Sequence, residues 1–323
     1  MDVQVTSFRM NELASEIVEA MVDQADLLRI RAQRLPGGAR VVDAGVEVDG
    51  GIEAGLALAE ICMGGLGNVT TAQVQIGNQS YPGLLVWTDH PAESCMASQY
   101  AGWAISVGKF FAMGSGPLRA HARVEHELFD KLGYEEQAEA GVLVLEGRTL
   151  PTEEVAEWVG QKAHLDPEQL TFVVAPTASL AGGVQISARI VETGLHKMET
   201  LGFDVRRVIS AMGTAPLPPV AKNDLKAIGR TNDCILYGGQ ARFTVRAGDT
   251  ELEQLASQVP ALASRDYGTP FYEIFKRYDG DFYKIDPLLF SPAEVWLTSS
   301  ETGRTFHAGR LNPEVLEASL YHS

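Results

Sequence analysis

A chain of 323 residues, 45% of them hydrophobic, is long enough to bury the cores of two α/β domains or one large one. Its formal charge of −16 leaves no surplus of Lys and Arg to neutralise phosphates, which argues against a nucleic-acid partner. Three cysteines, Cys62, Cys95 and Cys234, follow no CxxC or zinc-ligand spacing, so they are expected to be buried thiols in a reducing compartment, without a disulfide framework or structural metal.

The amino terminus, MDVQVTSFRMNELASE, has neither a basic lead nor an unbroken apolar run, so no cleaved signal peptide is expected and the cytoplasm is the expected compartment. Asn11 is placed to cap a helix with Leu13, Ile17, Met21 and Leu28 in phase, ending near Pro36 and Gly37. Arg29, Arg31, Arg34 and Arg40 cluster at that end, where they complement the helix dipole or receive an anion or a neighbouring subunit. Strands are predicted over 40–46, 69–76 and 84–87, and a helix over 51–63. Gly65 and Gly67 begin a dinucleotide fingerprint, but Thr70 stands where its third glycine belongs and a helix precedes it, so no nicotinamide cofactor is expected.

The stretch 93–111 is predicted as a helix, and 97–113 as a buried one. Gly102, Ser106, Gly108 and Lys109 interrupt the latter too often for a membrane span. Gly114 and Gly116 then turn the chain into a helix opened by Pro117. A helix amino terminus favours anions, so Ser115 and Arg119 are candidate contacts for a phosphate or carboxylate of a ligand, although a plain turn needs the same residues. Asp130 stands where an HExxH motif starting at His126 would have its second histidine, so no metal is expected and His121 and His126 are assigned to helix surface. A strand over 141–145, a linker around Pro151, a helix capped by Thr152 and a buried strand over 172–175 follow.

The segment 179–198, SLAGGVQISARIVETGLHKM, reads as a loop running into one helix. Val184, Ala188, Val191, Leu195 and Met198 form an apolar stripe, and Gln185, Arg189, Glu192 and His196 a second stripe beside it, at the edge of the core. Arg189 and Glu192, three apart, can meet on the helix surface and position a reactant, but by spacing alone they are as readily solvated decoration worth about 0.2–0.5 kcal/mol. Gly182, Gly183 and Gly194 are expected to let backbone approach a ligand.

Further on, a strand over 205–211 and the rigid loop TAPLPP precede short strands, 235–236 and 241–245, that flank Tyr237-Gly238-Gly239, a bulge or close backbone approach. A helix over 252–262 leads to an aromatic-rich stretch with Tyr267, Phe271, Tyr272, Phe275, Tyr278, Phe282 and Tyr283, mostly core, of which one or two can stack on a flat ring. A closing hairpin pairs 296–297 with 305–307. The alternation implies an α/β class: two α/β domains with mixed sheets and a substrate pocket between them, spanning 1–147 and 148–323, the second carrying the Arg-x-x-Glu helix.

The runs at 179–198, GSGPLRA at 114–120, NDCILYGG at 232–239 and DPLLFSPAEVW at 286–296 resemble the methenyltetrahydromethanopterin cyclohydrolase family over nearly the whole chain. The resemblance implies a hydrolase of one-carbon metabolism that reversibly hydrates 5,10-methenyl-tetrahydromethanopterin to the N5-formyl compound, in methane formation or formaldehyde oxidation. It implies no metal or redox cofactor and a homo-oligomer, expected as a trimer; that no membrane partner is expected follows from the lack of a long apolar window. The family's Arg-x-x-Glu pair falls on Arg189 and Glu192. Glu192 is then the group that orients and deprotonates water and returns a proton to N10, with Arg189 holding the carboxylate. Gln185, His196, Ser115 and Arg119 are candidate substrate contacts read from the residues alone. The alternative is a non-catalytic pterin-binding or carrier protein on the same fold, which needs the pocket but not the base.

Overall fold

The computed structural model describes residues 8–279 and 284–321. In chain order the first elements are α1 (Met10–Asp23), α2 (Ala25–Leu28), β1 (Arg31–Arg34), β2 (Arg40–Asp43), α3 (Ile52–Cys62), β3 (Asn68–Ile76) and β4 (Gln79–Thr88). A π-helical run over Ala92–Gln99 leads to β5 (Trp103–Val107), β6 (Phe110–Ser115), α4 (Leu118–Ala122), α5 (His126–Leu132), β7 (Gly141–Glu146), α6 (Glu153–Ala163), β8 (Leu170–Ala175) and α7 (Leu180–Ser187). The rest comprises α8 (Ile190–Thr200), β9 (Val208–Pro216), α9 (Asp224–Gly238), β10 (Gln240–Val245), α10 (Asp249–Gln258), α11 (Phe271–Arg277), β11 (Glu294–Ser299), β12 (Thr305–Gly309) and α12 (Pro313–Tyr321). No helix among the described residues is long and apolar enough to cross a membrane.

The chain divides into two compact units, one of Met1–Gly67 with Glu93–Gln185 and one of Asn68–Ala92 with Ile186–Ser323. Each holds one six-stranded mixed sheet, so the α/β class with mixed sheets is the observed architecture. The boundary expected at 147/148 instead falls inside the first unit, between β7 and β8, which pair in parallel from Gly141↔Leu170 to Glu146↔Ala175.

In the first unit the strand order is β1-β2-β8-β7-β6-β5, with a parallel centre and antiparallel flanks. Nearly every side chain of β7 and β8 is buried, as expected for central strands covered on both faces. Alternation sends Leu143 and Leu145 into one core with Val155 and Val159 of α6. Val142 and Val144 go into the other, with Val18 of α1 and Leu58 and Ile61 of α3. The second unit has the order β12-β11-β10-β9-β4-β3, in which only β10 and β11 run parallel. One of its cores gathers Ile76, Tyr81, Leu236, Tyr237, Phe271, Ile274 and Leu316.

Several local expectations are corrected. In place of the helix expected over 93–111, and of the buried helix over 97–113, there is a π-helical run followed by the β5–β6 hairpin. Trp103 and Ile105 are buried while Ala104 and Ser106 are exposed, a period of two. Val107 pairs with Phe110 across a two-residue loop whose Gly108 takes φ +57°, the positive φ such a turn requires. Arg31, Arg34 and Arg40 lie on the antiparallel pair β1–β2, so they end no helix. The apolar 235–236 segment lies inside α9, whose amino terminus is capped by Asn223 accepting from the Lys226 N–H at 3.0 Å. Gly64 and Gly65 close α3, with their N–H groups on the Ile61 and Glu60 carbonyls at 2.9 and 3.0 Å. That is a Schellman stop, the structural use of the glycine run that resembled a nucleotide loop. Thr152 sits at the cap position of α6 without a side-chain cap bond. Phe282 and Tyr283 lie outside the described residues.

Asn11 does not cap α1, which opens after Arg9. It is buried in the first turn, where its Oδ1 accepts from the Val142 N–H at 3.0 Å and its Nδ2 donates to the Pro117 carbonyl at 3.2 Å. Asn11→Ala strands both groups in the interior, at about 1–3 kcal/mol for each. The urea midpoint of the first unit should fall accordingly; an unchanged midpoint contradicts this role.

Candidate active site

The site begins where the first unit's parallel strands end. At the carboxyl end of β2, Asp43 accepts from the Gly45, Val46 and Glu47 N–H groups at 2.9, 2.7 and 2.8 Å. At the ends of β8 and β7, the Thr177 hydroxyl donates to Glu146. This edge of an α/β sheet is the usual place for ligands. From it Ser179 starts α7: its Oγ accepts from the Gly182 N–H at 3.0 Å, a regular N-cap. Every residue of α7 from Ala181 onward is buried.

The single helix expected over this segment is two. Arg189 N–H bonds the Ile186 carbonyl at 3.0 Å, a three-residue turn that ends α7, and α8 starts at Ile190 with Arg189 in the cap position. This break gives Glu192 a helix amino terminus of its own. It is the third residue of α8, in the first turn, where the macrodipole favours a carboxylate. Arg189 is 8% and Glu192 5% exposed, which removes the reading of this pair as solvated decoration. The apolar stripe is wholly buried, with Val184, Ala188, Val191, Leu195 and Met198 all at 0%.

Glycine facings hold α8 in place. A Cβ on Gly213 or Gly239 would come within 2.9 and 2.4 Å of Ile190, and one on Gly194 within 2.6 Å of the Phe243 ring. Gly194 is therefore explained by packing on β10, and Gly182 by the Pro176 carbonyl, 2.0 Å from where its Cβ would stand. Neither needs a ligand. Gly183 differs: it is buried, yet a side chain there would meet nothing within 4 Å.

The structure links two of the remaining candidates through a residue that sequence reasoning set aside. Cys62, the last residue of α3, has its Sγ 3.5 Å from Ser115 Oγ and 3.7 Å from Gln185 Oε1. The Ser98 hydroxyl donates to the Cys62 carbonyl at 2.6 Å, and the Gly116 N–H to the Ser98 carbonyl at 2.8 Å. No spacing signal marks this cluster, because its members come from α3, the π-helical run, the end of β6 and α7. Arg119 sits beside it but faces inward at 0% exposure. Its guanidinium bonds Glu125 Oε1 at 2.6 Å and the Ala97 and Ser98 carbonyls at 3.3 and 3.2 Å, and lies over the Tyr100 ring at 5.2 Å. The helix that Arg119 belongs to, α4, has only five residues.

His196 is half-buried on α8, one turn beyond Glu192. His121 is not plain helix surface: its Nε2 meets the Ala163 carbonyl at 2.9 Å and its Nδ1 accepts from the Ala138 N–H at 3.1 Å. All three cysteines are free and buried. Among the described residues no group of three or more His, Cys, Asp or Glu is placed to hold a metal ion.

A family model described as Cyclohydrolase (MCH) matches residues 9–320. The chain belongs to this cyclohydrolase family. Relatives in the family include a protein named methenyltetrahydromethanopterin cyclohydrolase from Methylobacillus flagellatus, 47% identical over 317 residues, covering 97% of this chain and 95% of the relative. Proteins of the same name from Methanococcoides burtonii and Methylobacterium organophilum are 42% and 47% identical, each covering 96% of this chain and 97% of the relative.

A further buried charge lies on α8. Lys197 is 1% exposed and donates to the Leu288 carbonyl; burial pulls its pKa down to about 8, against the opposing pull of Asp286. Between pH 8 and the ordinary value of 10.5 the unfolded chain binds more protons at this lysine than the folded one, so stability should rise with pH across that window. The Tm of wild type minus that of Lys197→Met should therefore increase from pH 8 to 10.5, and a flat difference excludes the shift.

Proposed function

We propose that this chain catalyses the reversible hydration and ring opening of 5,10-methenyl-tetrahydromethanopterin to the N5-formyl compound. The observation that carries the proposal is the pairing of a family match across residues 9–320 with a nearly buried Arg189 and Glu192 at the start of α8. The bridging carbon of the substrate is part of a cationic amidine and is already electrophilic. The reaction needs a placed water and a proton acceptor.

Glu192 is the acceptor in this reading. It orients and deprotonates the water, which adds to the bridging carbon, and it returns the proton to N10 as the C–N10 bond breaks. Arg189, three residues earlier, holds the carboxylate and fixes the line of attack. Ser115 and Gln185 contact the pterin portion from the cluster around Cys62, with His196 a further contact. Arg119, turned towards Glu125 and the carbonyls of residues 97 and 98, shapes that cluster from behind. The proposal includes no metal and no nicotinamide, a cytoplasmic location and a homotrimer.

Glu192→Gln keeps size and helix but removes the proton acceptor, and should lower the single-turnover rate about 10²–10⁴-fold with substrate still bound. Arg189→Lys keeps the charge and loses the planar fork, so turnover should fall with Tm little changed. A stable Glu192→Gln enzyme with normal turnover, followed by loss of methenyl absorbance, removes Glu192 from the mechanism.

Exhaustive chelation should leave turnover intact. Loss of activity restored by zinc would show that the ligand sets were misjudged.

A further inference from the structure

The polar neighbours of the Cys62 thiol include two of the proposed substrate contacts, Ser115 and Gln185. Cys62 lies at 0% exposure at the last position of α3, where the Schellman stop at Gly64 and Gly65 fixes the backbone that carries it. Its own carbonyl is held by the Ser98 hydroxyl. The backbone on both sides of the thiol is thus immobilised by bonds that do not involve the sulfur.

The sulfur faces Ser115 Oγ and Gln185 Oε1 at 3.5 and 3.7 Å. A thiol has one proton to donate and accepts weakly. Donation to Gln185 Oε1 leaves the sulfur lone pairs to the Ser115 hydroxyl, so the chain of donors runs from Ser115 through Cys62 to Gln185. This places Gln185 Oε1, the acceptor end of the amide, on the thiol. A buried leucine or valine in place of Cys62 would fill the volume without setting that orientation.

We propose that Cys62 is a positioning residue of the active site, which orients the Gln185 amide and the Ser115 hydroxyl for the substrate. The proposal rests on the reading of Gln185 and Ser115 as pterin contacts. Cys62 itself need not touch substrate. Its effect is expected in substrate affinity, with the proton-transfer step of Glu192 left intact.

The test measures KM and kcat from the decay of methenyl absorbance in Cys62→Ala, Cys62→Ser, Ser115→Ala, Gln185→Leu and the Cys62→Ala/Gln185→Leu double variant of the full-length protein. Cys62→Ala should raise KM about 5–10-fold with kcat within about twofold, because the Gln185 carbonyl loses the thiol donor that faces it. Cys62→Ser keeps a donor at shorter reach and should restore most of the affinity. In the double variant the Cys62 change should add nothing to the Gln185→Leu effect, the signature of two residues acting as a unit. A raised KM in Gln185→Leu with an unchanged KM in Cys62→Ala overturns the positioning role, even if Tm falls. An unchanged KM in both Gln185→Leu and Ser115→Ala overturns the substrate-contact reading, and this proposal with it.

Discussion

A guanidinium and a carboxylate that are both more than nine-tenths withdrawn from water have lost most of their hydration, a loss that ion pairing does not by itself repay. Something stiffer has to keep them where they are. In this chain it is the seating of α8 on its sheet. Ile190, immediately after Arg189, fills the space left by glycines at positions 213 and 239, and Gly194 lets the next turn lie directly against Phe243. A helix that can approach the strands this closely has little freedom to roll, and its first turn presents the same two side chains in the same place. The amino-terminal dipole then acts on a carboxylate with nowhere else to go, where it is worth up to about 2 kcal/mol in partly buried settings.

A similar logic governs the first unit. Gly55 allows α3 to approach α7 so closely that a Cβ there would stand 2.6 Å from that of Val184. The polar cluster of Cys62, Ser98, Ser115 and Gln185 therefore hangs between tightly packed elements. Arg119 adds a second fixed point, since its bonds to the Ala97 and Ser98 carbonyls anchor the end of the π-helical run. Long runs of π-helix are uncommon and tend to occur near functional sites. This one brings Ser98 to the Cys62 carbonyl.

Much of this was legible in the residues. Unbroken apolar runs mark β7 and β8, and the 3.6-residue period marks the buried stripe of Val184, Ala188, Val191, Leu195 and Met198. The misreadings have identifiable causes. The residues of β5 and β6 alternate with period two, but the apolar residues on both sides of Gly108 merge into what looks like one helical block. Asn11 has the chemistry of a cap and is spent on a long-range bond to β7, which no local pattern reveals. The break before Arg189 carries no proline or glycine. Cys62 was passed over because a lone thiol has no motif, and its partners lie 53 and 123 residues away in the chain.

The two units are also interleaved, because residues 68–92 belong to the second while lying between two pieces of the first. During synthesis the β3–β4 hairpin leaves the ribosome early, but its next neighbour in the sheet, β9, pairs Ala211 with Thr88 and arrives roughly 120 residues later. At about 5–20 residues per second the hairpin waits some 6–24 s with the β4 edge, which β9 will cover, still open. Meanwhile the whole of the first sheet, whose last strand in chain order ends at Ala175, has already been made. Neither unit is a single continuous stretch, so exchange of one unit between relatives requires several matched crossovers.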